Sequence, residues 1–330
     1  MKKILSILLV AVMAISITAC ATPTTEPKDE KLTDITCVLD WTPNTNHTGL
    51  FVAEALGYYE EAGLNVSIIQ PPEDGASVLV ASNKAQFGID MQDSLAVTFL
   101  GEDPLPITSV AAIIQHNTSG IMSLKGKGMD TPKGMENKVY ATWELPVEQA
   151  MIKDIVEKDG GDFSKVNMVP STVTDVLTAI QTNVDAVWVY YAWDGVASEV
   201  KNIETDYLDF GKIMPEFDYY TPVIIGCDAY LESNPKESKA FLSATKKGYE
   251  YAIKHPKEAG DILLKAAPEL DADIVYASQK YLADKYKAEV SQWGYIDTAR
   301  WDSFYKWLYD NDLIEGEFKS GVGFTNEYLS

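Results

Sequence analysis

The sequence predicts an α/β fold of two lobes, each a mostly parallel sheet with helices on both faces, joined by a hinge of two crossovers. Three observations lead to it. From Thr33 onward, short apolar runs alternate with segments of helical periodicity. The alternation starts again after Gly126-Lys127-Gly128, which predicts a crossover there. An apolar run at 221–225 then leads back to the first lobe, so the chain passes between the lobes twice.

The first lobe is expected over residues 34–125 and the second over 126–220, with 221–330 returning to the first lobe and adding C-terminal helices. Apolar runs predict the strands, and apolar residues three or four apart predict the helices. The predicted strands are 35–39, 66–69, 87–89, 107–114, 139–141, 167–169, 186–189 and 221–225. The predicted helices are 50–57, 75–82, 94–100, 147–157, 173–181 and 193–200, with others beginning near 235, 256, 273 and 297.

Composition excludes several classes of function. The chain has 330 residues, 46% hydrophobic and 23% charged, which is typical of globular proteins. Lys and Arg total 27 against 49 Asp and Glu, a formal net charge of -22. Because nucleic-acid affinity depends on cations that neutralise phosphates, we expect no nucleic-acid partner. Three Cys and three His are too few for a disulfide scaffold or a finger-type zinc cluster, so we expect no metal.

The N-terminal segment predicts export. A short basic start is followed by a mostly apolar run over 4–17, too short to span a bilayer comfortably, which is typical of a signal peptide, here residues 1–19. Ile17-Thr18-Ala19-Cys20 resembles a bacterial lipobox, which implies cleavage before Cys20 and a lipid on its thiol. In the alternative, plain secretion, Cys20 is a bystander. If Cys20 carries the lipid, residues 20–33 tether an extracytoplasmic body to the cell membrane through the lipid alone.

Cys37 and Cys227 are the cysteines that follow the export signal. Both lie in apparent strands, 35–39 and 223–227, where apolar neighbours predict burial. Two buried free thiols are therefore favoured over a disulfide.

The loop after the first predicted strand carries the first candidate binding residues. In open α/β sheets, ligands bind beyond the carboxyl ends of the strands. Trp41 and Asn44 are expected to contact a ligand, because a Trp on a polar turn needs something flat to cover. Asp40 lies in the same turn, and His47 and Thr48 begin the following helix, whose free amides favour an electron-rich ligand atom. The alternative is that Thr48 caps the helix and His47 only packs.

A second candidate loop follows the strand at 186–189. Tyr190, Tyr191 and Trp193 supply aromatic faces, and Asp194 can accept hydrogen bonds from an amino or ring N–H group. Together they describe a pocket for a small aminated heteroaromatic ring. The alternative is a core cluster in which Asp194 caps the next helix.

Polar or aromatic residues at other strand ends complete the set of candidate ligand contacts. Each taken singly is more often a turn or cap residue than a ligand contact. These further candidates are Asp90, Gln115, Asn117, Trp143 and Tyr220.

Three of these segments resemble a known family. Residues 40–50, DWTPNTNHTGL, closely resemble the opening motif of solute-binding lipoproteins of ABC importers for thiamine pyrimidine precursors. Residues 188–195 are similar to that family's second aromatic and acidic stretch, and Tyr219-Tyr220-Thr221-Pro222 to its crossover segment. The resemblance runs, with gaps, over roughly 34–311, and the first motif is the specific one.

The resemblance implies a two-lobed, type II-like periplasmic-binding-protein fold that binds an aminopyrimidine such as hydroxymethylpyrimidine or its formylated aminomethyl relative. It also implies a monomer that docks on the membrane subunits of an importer. Close cousins bind riboflavin or other small ring compounds, which is the alternative ligand class. Relatives carry Glu where this chain has Asp194, one methylene shorter. By motif match, the residues expected in the pocket are Trp41, Asn44, Tyr191, Trp193 and Asp194.

The same family includes a fungal enzyme that builds the thiamine pyrimidine, and the resemblance extends to His47, where the enzyme's histidine is consumed as substrate. That enzyme also carries a cysteine cluster associated with iron, whereas Cys37 and Cys227 are isolated here. No Gly-rich phosphate loop or nucleophile elbow occurs in the sequence. The interpretation is a binding protein without a cofactor, not an enzyme. A sensory role, in place of transport, stays open.

Overall fold

The structure is a computed structural model in which residues 31–101, 103–314 and 318–329 are described. The predicted signal peptide (1–19), the predicted lipid-bearing Cys20 and the tether up to residue 30 lie outside the described residues. Among the described helices, none combines the length and the apolar character that a membrane span needs.

The described residues contain the following strands: β1 (Thr33–Val38), β2 (Leu64–Ile69), β3 (Phe87–Asp90), β4 (Ile107–Ala112), β5 (Ser119–Leu124), β6 (Val139–Thr142), β7 (Asn167–Pro170), β8 (Ala186–Tyr190), β9 (Thr205–Asp209) and β10 (Val223–Cys227). The helices are α1 (Thr48–Ala55), α2 (Tyr58–Glu61), α3 (Ala76–Ala81), α4 (Gln92–Leu100), α5 (Pro146–Lys158), α6 (Val176–Thr182), α7 (Val196–Val200), α8 (Phe210–Ile213), α9 (Asp228–Ser233), α10 (Pro235–Lys254), α11 (Pro256–Ala266), α12 (Ala272–Ala283) and α13 (Thr298–Asp310).

In the described part of the chain, the strands form two five-stranded sheets of the same topology. The first sheet has the order β2-β1-β3-β10-β4, and the second has the order β7-β6-β8-β5-β9. In each sheet the fourth strand in the order, β10 or β5, runs antiparallel to both of its neighbours, and the other strands run parallel to one another. The predicted α/β fold with two mostly parallel sheets is confirmed.

The first crossover lies earlier in the chain than the sequence analysis placed it. β5 pairs with β8 and β9, so the chain already changes sheets between Ala112 and Ser119. Gly126 and Gly128, expected at the crossover, instead turn the chain after β5, with φ of 80° and 75° that glycine adopts at low cost. The second crossover, between β9 and β10, returns the chain to the first sheet as expected.

Strands covered by helices on both faces explain the apolar runs of the sequence. All five residues of β10 are buried, and it lies between β3 and β4 in the interior of its sheet. Near-continuous apolar runs are typical of strands buried on both faces, and each buried Val or Ile contributes about 1.5–3 kcal/mol. Cys37 and Cys227 are buried and free, as predicted, and burial raises the pKa of the Cys37 thiol to about 12.

The C-terminal helices connect the two lobes. In α13, the Tyr305 hydroxyl donates to the Gln92 carbonyl of the first lobe at 3.0 Å, and Trp307 Nε1 donates to Asp154 on α5 of the second lobe at 2.8 Å. α12 likewise packs against α7 and against the 3₁₀ turn at Thr45–His47. These helices therefore help to fix the angle between the lobes.

The packing of α10 on α1 gives a test of the fold. A Cβ at Gly248 would collide with the Gly49 carbonyl oxygen of α1, the helix that begins at the first candidate loop. We expect Gly248→Ala to lower the free energy of unfolding by about 1–3 kcal/mol or more, the usual cost of overpacking, in urea denaturation.

Gly211→Ala is the matched control, since the nearest atom to a Cβ there is 3.3 Å away. Its stability should change by less than about 1 kcal/mol. Equal losses in the two variants would contradict a close contact between α1 and α10.

Candidate functional site

The loop after β1 is organised around a fully buried histidine. The Asn44 backbone N–H donates to His47 Nδ1 at 3.2 Å, so Nε2 carries the ring proton and donates to Asp40 Oδ1 at 2.6 Å. The Asn44 side chain accepts from the Asn46 N–H at 2.9 Å and donates to the Thr42 carbonyl at 3.1 Å. The structure thus brings Asp40, Asn44 and His47 together in one internally bonded turn.

Hydrogen bonds tie this turn to the second lobe. The Ser278 hydroxyl on α12 donates to the Ala192 carbonyl in the loop after β8. Ser278 Oγ also lies 2.6 Å from Thr45 Oγ1, which must then donate. The Tyr286 hydroxyl donates to the Thr45 carbonyl at 2.6 Å, and the predicted site residue Thr48 is buried beside this tyrosine.

Tyr190, at the end of β8, reaches across to the first lobe. Its hydroxyl lies 3.0 Å from Met91 Sδ in the loop after β3. Burial raises the pKa of Tyr190 well above its usual range, and the nearby carboxylates of Asp93, Asp40 and Asp90 raise it further. Three predicted residues, Asp40, Asp90 and Tyr190, therefore converge where the two lobes meet.

The loop after β3 supplies two carboxylates with different surroundings. Asp90 accepts from the Ser77 hydroxyl, from the Ser94 hydroxyl at 2.5 Å and from the Met91 N–H at 2.7 Å. These bonds hold the starts of α3 and α4 together. Asp93, in contrast, has a buried Oδ1 with no hydrogen-bond partner among the protein atoms. Burial, with the Asp90 charge, raises the pKa of Asp93 to about 6.

Both crossovers add buried hydroxyls beside Asp93 that the sequence analysis did not select. They are Ser119, Tyr219 and Thr221. Tyr219 and Thr221 belong to the segment 219–222, which resembles the family's crossover segment, so the sequence does contain a signal for them. Ser119 lies at the start of the unpredicted β5, and its only signal in the sequence is that it follows the predicted strand 107–114 among other polar residues.

Two of the predicted aromatic residues are exposed on matching edges of the two sheets. Trp41 follows β1 and is 65% exposed, and Trp143 follows β6 and is 43% exposed. β1 and β6 are each second in the strand order of their sheets. Each lobe therefore has one indole just beyond the carboxyl end of the equivalent strand. Trp143 also contacts Trp188, with ring centroids 5.8 Å apart.

The loop after β8 distributes its aromatic residues over different surroundings. The Tyr191 hydroxyl donates to Glu199, and its ring contacts Tyr207 and Tyr281 at centroid distances of 4.8 and 5.5 Å. Trp193 is half-buried and packs against the apolar cores of the molecule. Asp194 lies in a single π-helical turn, Tyr191–Gly195, and burial raises its pKa to about 6.

The remaining candidates lie in the hinge. Gln115 donates to the Tyr295 carbonyl at 2.9 Å, and the Tyr220 hydroxyl accepts from the Asp297 N–H at 2.9 Å. Asn117 accepts from the Ser119 N–H at 2.7 Å. It also bonds the other crossover, donating its side-chain amide to the Phe217 carbonyl at 2.8 Å and its backbone N–H to Asp218 at 3.0 Å. These side chains join the crossovers to each other and to the C-terminal segment.

Charged groups reinforce the same hinge. His116 lies between two carboxylates, with Nδ1 2.7 Å from Asp218 and Nε2 2.8 Å from Glu289. The hydrogen bond to Asp218 is the main cause that raises the pKa of His116. Arg300 bonds Glu289 at 3.0 Å.

Comparison with known proteins identifies the family to which this chain is similar. The profile of the family described as NMT1/THI5 like matches residues 44–259. A formylaminopyrimidine-binding protein from Halalkalibacterium halodurans is 29% identical over 323 residues, covering 95% of this chain and 94% of the relative. The 4-amino-5-hydroxymethyl-2-methylpyrimidine phosphate synthase THI11 of Saccharomyces cerevisiae is 27% identical over 259 residues, covering 73% of this chain and 74% of the enzyme.

Solved structures agree on the fold. The periplasmic aliphatic sulphonate binding protein SsuA from Escherichia coli superposes with a TM-score of 0.64 at 13% identity, covering 85% of this chain and 88% of SsuA. The predicted periplasmic-binding-protein fold is therefore confirmed.

The buried His47 gives a test of how the first loop is held. We expect Asp40→Ala to lower the free energy of unfolding by about 1–3 kcal/mol, because the buried Nε2–H of His47 then lacks an acceptor. Urea denaturation measures the change. In the control Asp34→Ala, the lost partner is an exposed Asn65 amide at 2.7 Å, and the loss should stay below about 1 kcal/mol. A small loss in both variants would show that Asp40 does not hold the loop.

Proposed function

The chain belongs to the NMT1/THI5-like family, and we propose that it is the extracytoplasmic solute-binding protein of an ABC importer. Its ligand is a small aminopyrimidine, with formylaminopyrimidine as the leading candidate. The formylaminopyrimidine-binding relative matches nearly the whole chain and supports this ligand. Another flat ring solute such as riboflavin is the alternative.

The observation that carries the proposal is the pair of exposed indoles at matching sheet edges. Trp41 and Trp143 present much of their apolar faces to solvent just beyond the carboxyl ends of their strands, where open α/β sheets bind ligands. In the proposed complex they cover a flat ring from opposite lobes. Each aromatic pair contributes about 0.5–1.5 kcal/mol beyond the area it buries.

Carboxylates at the strand ends suit an aminated ring. The carboxylate of Asp194 accepts hydrogen bonds and donates none when ionised. A charge-assisted bond from a ligand amino group to this side chain is worth about 1.5–3 kcal/mol. The aromatic faces therefore supply affinity for any flat ring, and Asp194 selects a ring that carries N–H donors.

Binding proceeds by hinged closure. The ligand is captured on one lobe, and the other lobe closes over it and removes its water. In the structure, contacts such as Tyr190 to Met91 and Ser278 to Ala192 join the lobes. Asn117, bonded to both crossovers, lies where the backbone must flex.

Binding is favoured over synthesis of the pyrimidine by the state of His47. Both of its ring nitrogens are engaged within its own loop, and the side chain is fully buried. A histidine consumed as a substrate has to be accessible to its co-reactants. We therefore assign His47 to positioning the loop.

Export, the lipid on Cys20, a monomeric state and docking on importer membrane subunits complete the proposal. They rest on the signal-peptide and lipobox patterns of residues 1–20 and on the family assignment.

Metabolic labelling with a radioactive fatty acid should mark the wild-type protein and leave Cys20→Ser unlabelled. Label retained in that variant would refute lipidation at Cys20.

The exposed indoles give the main test. We expect Trp41→Ala and Trp143→Ala each to weaken calorimetric binding of formylaminopyrimidine by at least about tenfold, because each removes one face of the ring site. Their melting temperatures should hardly change, since both side chains are exposed.

Tyr309→Ala is the matched control, because Tyr309 is also 43% exposed but lies on α13. It should bind as the wild type does. Wild-type affinity in both Trp variants would mean that the ring binds elsewhere. Preferential binding of riboflavin would select the alternative ligand.

The raised pKa of Asp194 predicts a pH dependence. The carboxylate is ionised above about pH 6 and accepts the ligand N–H. Affinity for formylaminopyrimidine should therefore fall as the pH drops through about 6, by up to about tenfold per pH unit. Asp194→Asn should bind at least about tenfold more weakly at neutral pH and give a flatter profile.

This loss is not one of folding. A carboxyl whose pKa is raised on folding binds its proton more readily in the folded state, so its contribution favours folding as the pH falls toward 4. Melting temperatures recorded alongside the titrations separate the two effects. A pH-independent affinity between pH 5 and 8 would contradict the role of Asp194.

A further inference from the structure

We propose that the cleft contains a subsite that takes a neutral or cationic ligand group carrying an N–H donor and that excludes a phosphate. The inference deepens the proposed function and rests on it. Four side chains form this polar subsite: Asp93, Ser119, Tyr219 and Thr221.

Each of these side chains has a buried polar atom without a hydrogen-bond partner among the protein atoms. The atoms are Asp93 Oδ1, Ser119 Oγ, Tyr219 OH and Thr221 Oγ1. Ser119 and Tyr219 are fully buried, and Thr221 is 1% exposed. Native proteins pair nearly all of their buried polar groups, so four unpaired atoms in one place indicate a ligand that pairs them.

Strand pairing brings the four side chains together. Ser119 lies directly opposite Tyr190 in the β5–β8 pair. Gln92 and Tyr220 bond each other through both of their backbone N–H groups, which sets the neighbouring Asp93 beside Tyr219 and Thr221. The side chains of Asp93 and Ser119 lie near the Tyr219 hydroxyl and influence its pKa, and Thr221 lies near the Tyr190 hydroxyl and influences its pKa. The four polar groups therefore lie close together, around the neighbouring hydroxyls of Tyr190 and Tyr219.

The charges around this point decide which ligand group fits. The charged groups that bear most strongly on the adjacent Tyr190 hydroxyl are the carboxylates of Asp93, Asp40 and Asp90. A phosphate would be repelled by three like charges in a site shielded from water. An amide group instead donates its N–H to Asp93 and accepts from the hydroxyls of Ser119 and Thr221 at its carbonyl oxygen, whereas an amino group donates its N–H bonds to Asp93 and to the hydroxyl oxygens.

This division separates two chemistries within one family. The yeast relative is named for a hydroxymethylpyrimidine phosphate, whereas the bacterial relative is named for binding a formylaminopyrimidine, a name that contains no phosphate. On the basis of its own residues, the polar subsite assigns this chain to the binding of an unphosphorylated pyrimidine.

The test compares three probes by calorimetry: formylaminopyrimidine, 4-amino-5-hydroxymethyl-2-methylpyrimidine and the phosphate ester of the latter. The wild-type protein should bind the phosphate ester at least about a hundredfold more weakly than the alcohol. Asp93→Asn should weaken binding of formylaminopyrimidine by about tenfold and narrow the gap between alcohol and phosphate ester by about tenfold. A general loss of structure would not change that ratio.

The strand β5 offers a matched pair of variants. Ser119 and Ser123 are both buried serines with unpartnered hydroxyls, and they lie four residues apart on the same strand. Ser119→Ala should weaken binding of formylaminopyrimidine by about threefold to tenfold, and Ser123→Ala should stay within about twofold of the wild type. This pair keeps the test decisive if Asp93→Asn fails to fold.

The outcomes separate the two proposals. Binding of the phosphate ester as tight as that of the alcohol, or equal affinities in Ser119→Ala and Ser123→Ala, would overturn the polar subsite while leaving the proposed function standing. Wild-type protein that binds none of the three probes would overturn the proposed function, and the subsite with it.

Discussion

The architecture depends on one constraint: each sheet is completed by a strand that arrives from the other lobe. β10 hydrogen-bonds to β3 and β4, and β5 hydrogen-bonds to β8 and β9, so neither crossover can shift without breaking a ladder on both sides. An interior strand is held far more firmly than a loop, because its backbone groups are paired along both edges. The crossovers therefore enter the sheets at fixed positions, and their residues meet the ends of β3 and β8.

That constraint also explains which parts of the molecule could be predicted from the sequence. The strand β10 was predicted because burial on both faces leaves a continuous apolar run, and β1 because Ile35, Cys37 and Val38 are apolar and buried. β5 and β9 were missed, since SGIMSL opens with Ser and Gly and TDYLD alternates with polar residues, as an edge strand does. Asp40, Asp90 and Tyr190 were accessible to prediction because strand ends share an edge. Ser119 follows the predicted strand 107–114, but its place opposite Tyr190 depends on pairing across the sheet, which local patterns do not encode.

In the proposed complex, ligand recognition is divided between an outer aromatic zone and an inner polar zone. The outer zone consists of the exposed Trp41 and Trp143, which provide area and little chemical discrimination. The inner zone, buried between the crossovers and the loop after β3, has carboxylates and hydroxyls whose pairing requirements discriminate strongly. One fold can serve different ligands: the sulphonate-binding SsuA shares this fold at only 13% identity.

The position of Ser278 bears on how the ligand-bound protein could be distinguished from the free protein at its surface. Its hydroxyl bonds Thr45 of one lobe and the Ala192 carbonyl of the other, and hydrogen bonds fail within about an ångström of displacement. Any rotation of the lobes must therefore release α12 from one side. The outward residues of α12, among them Asp273 and Lys280, are exposed. A membrane partner that binds this outer surface would distinguish the closed lobes from the open ones without contacting the bound ligand.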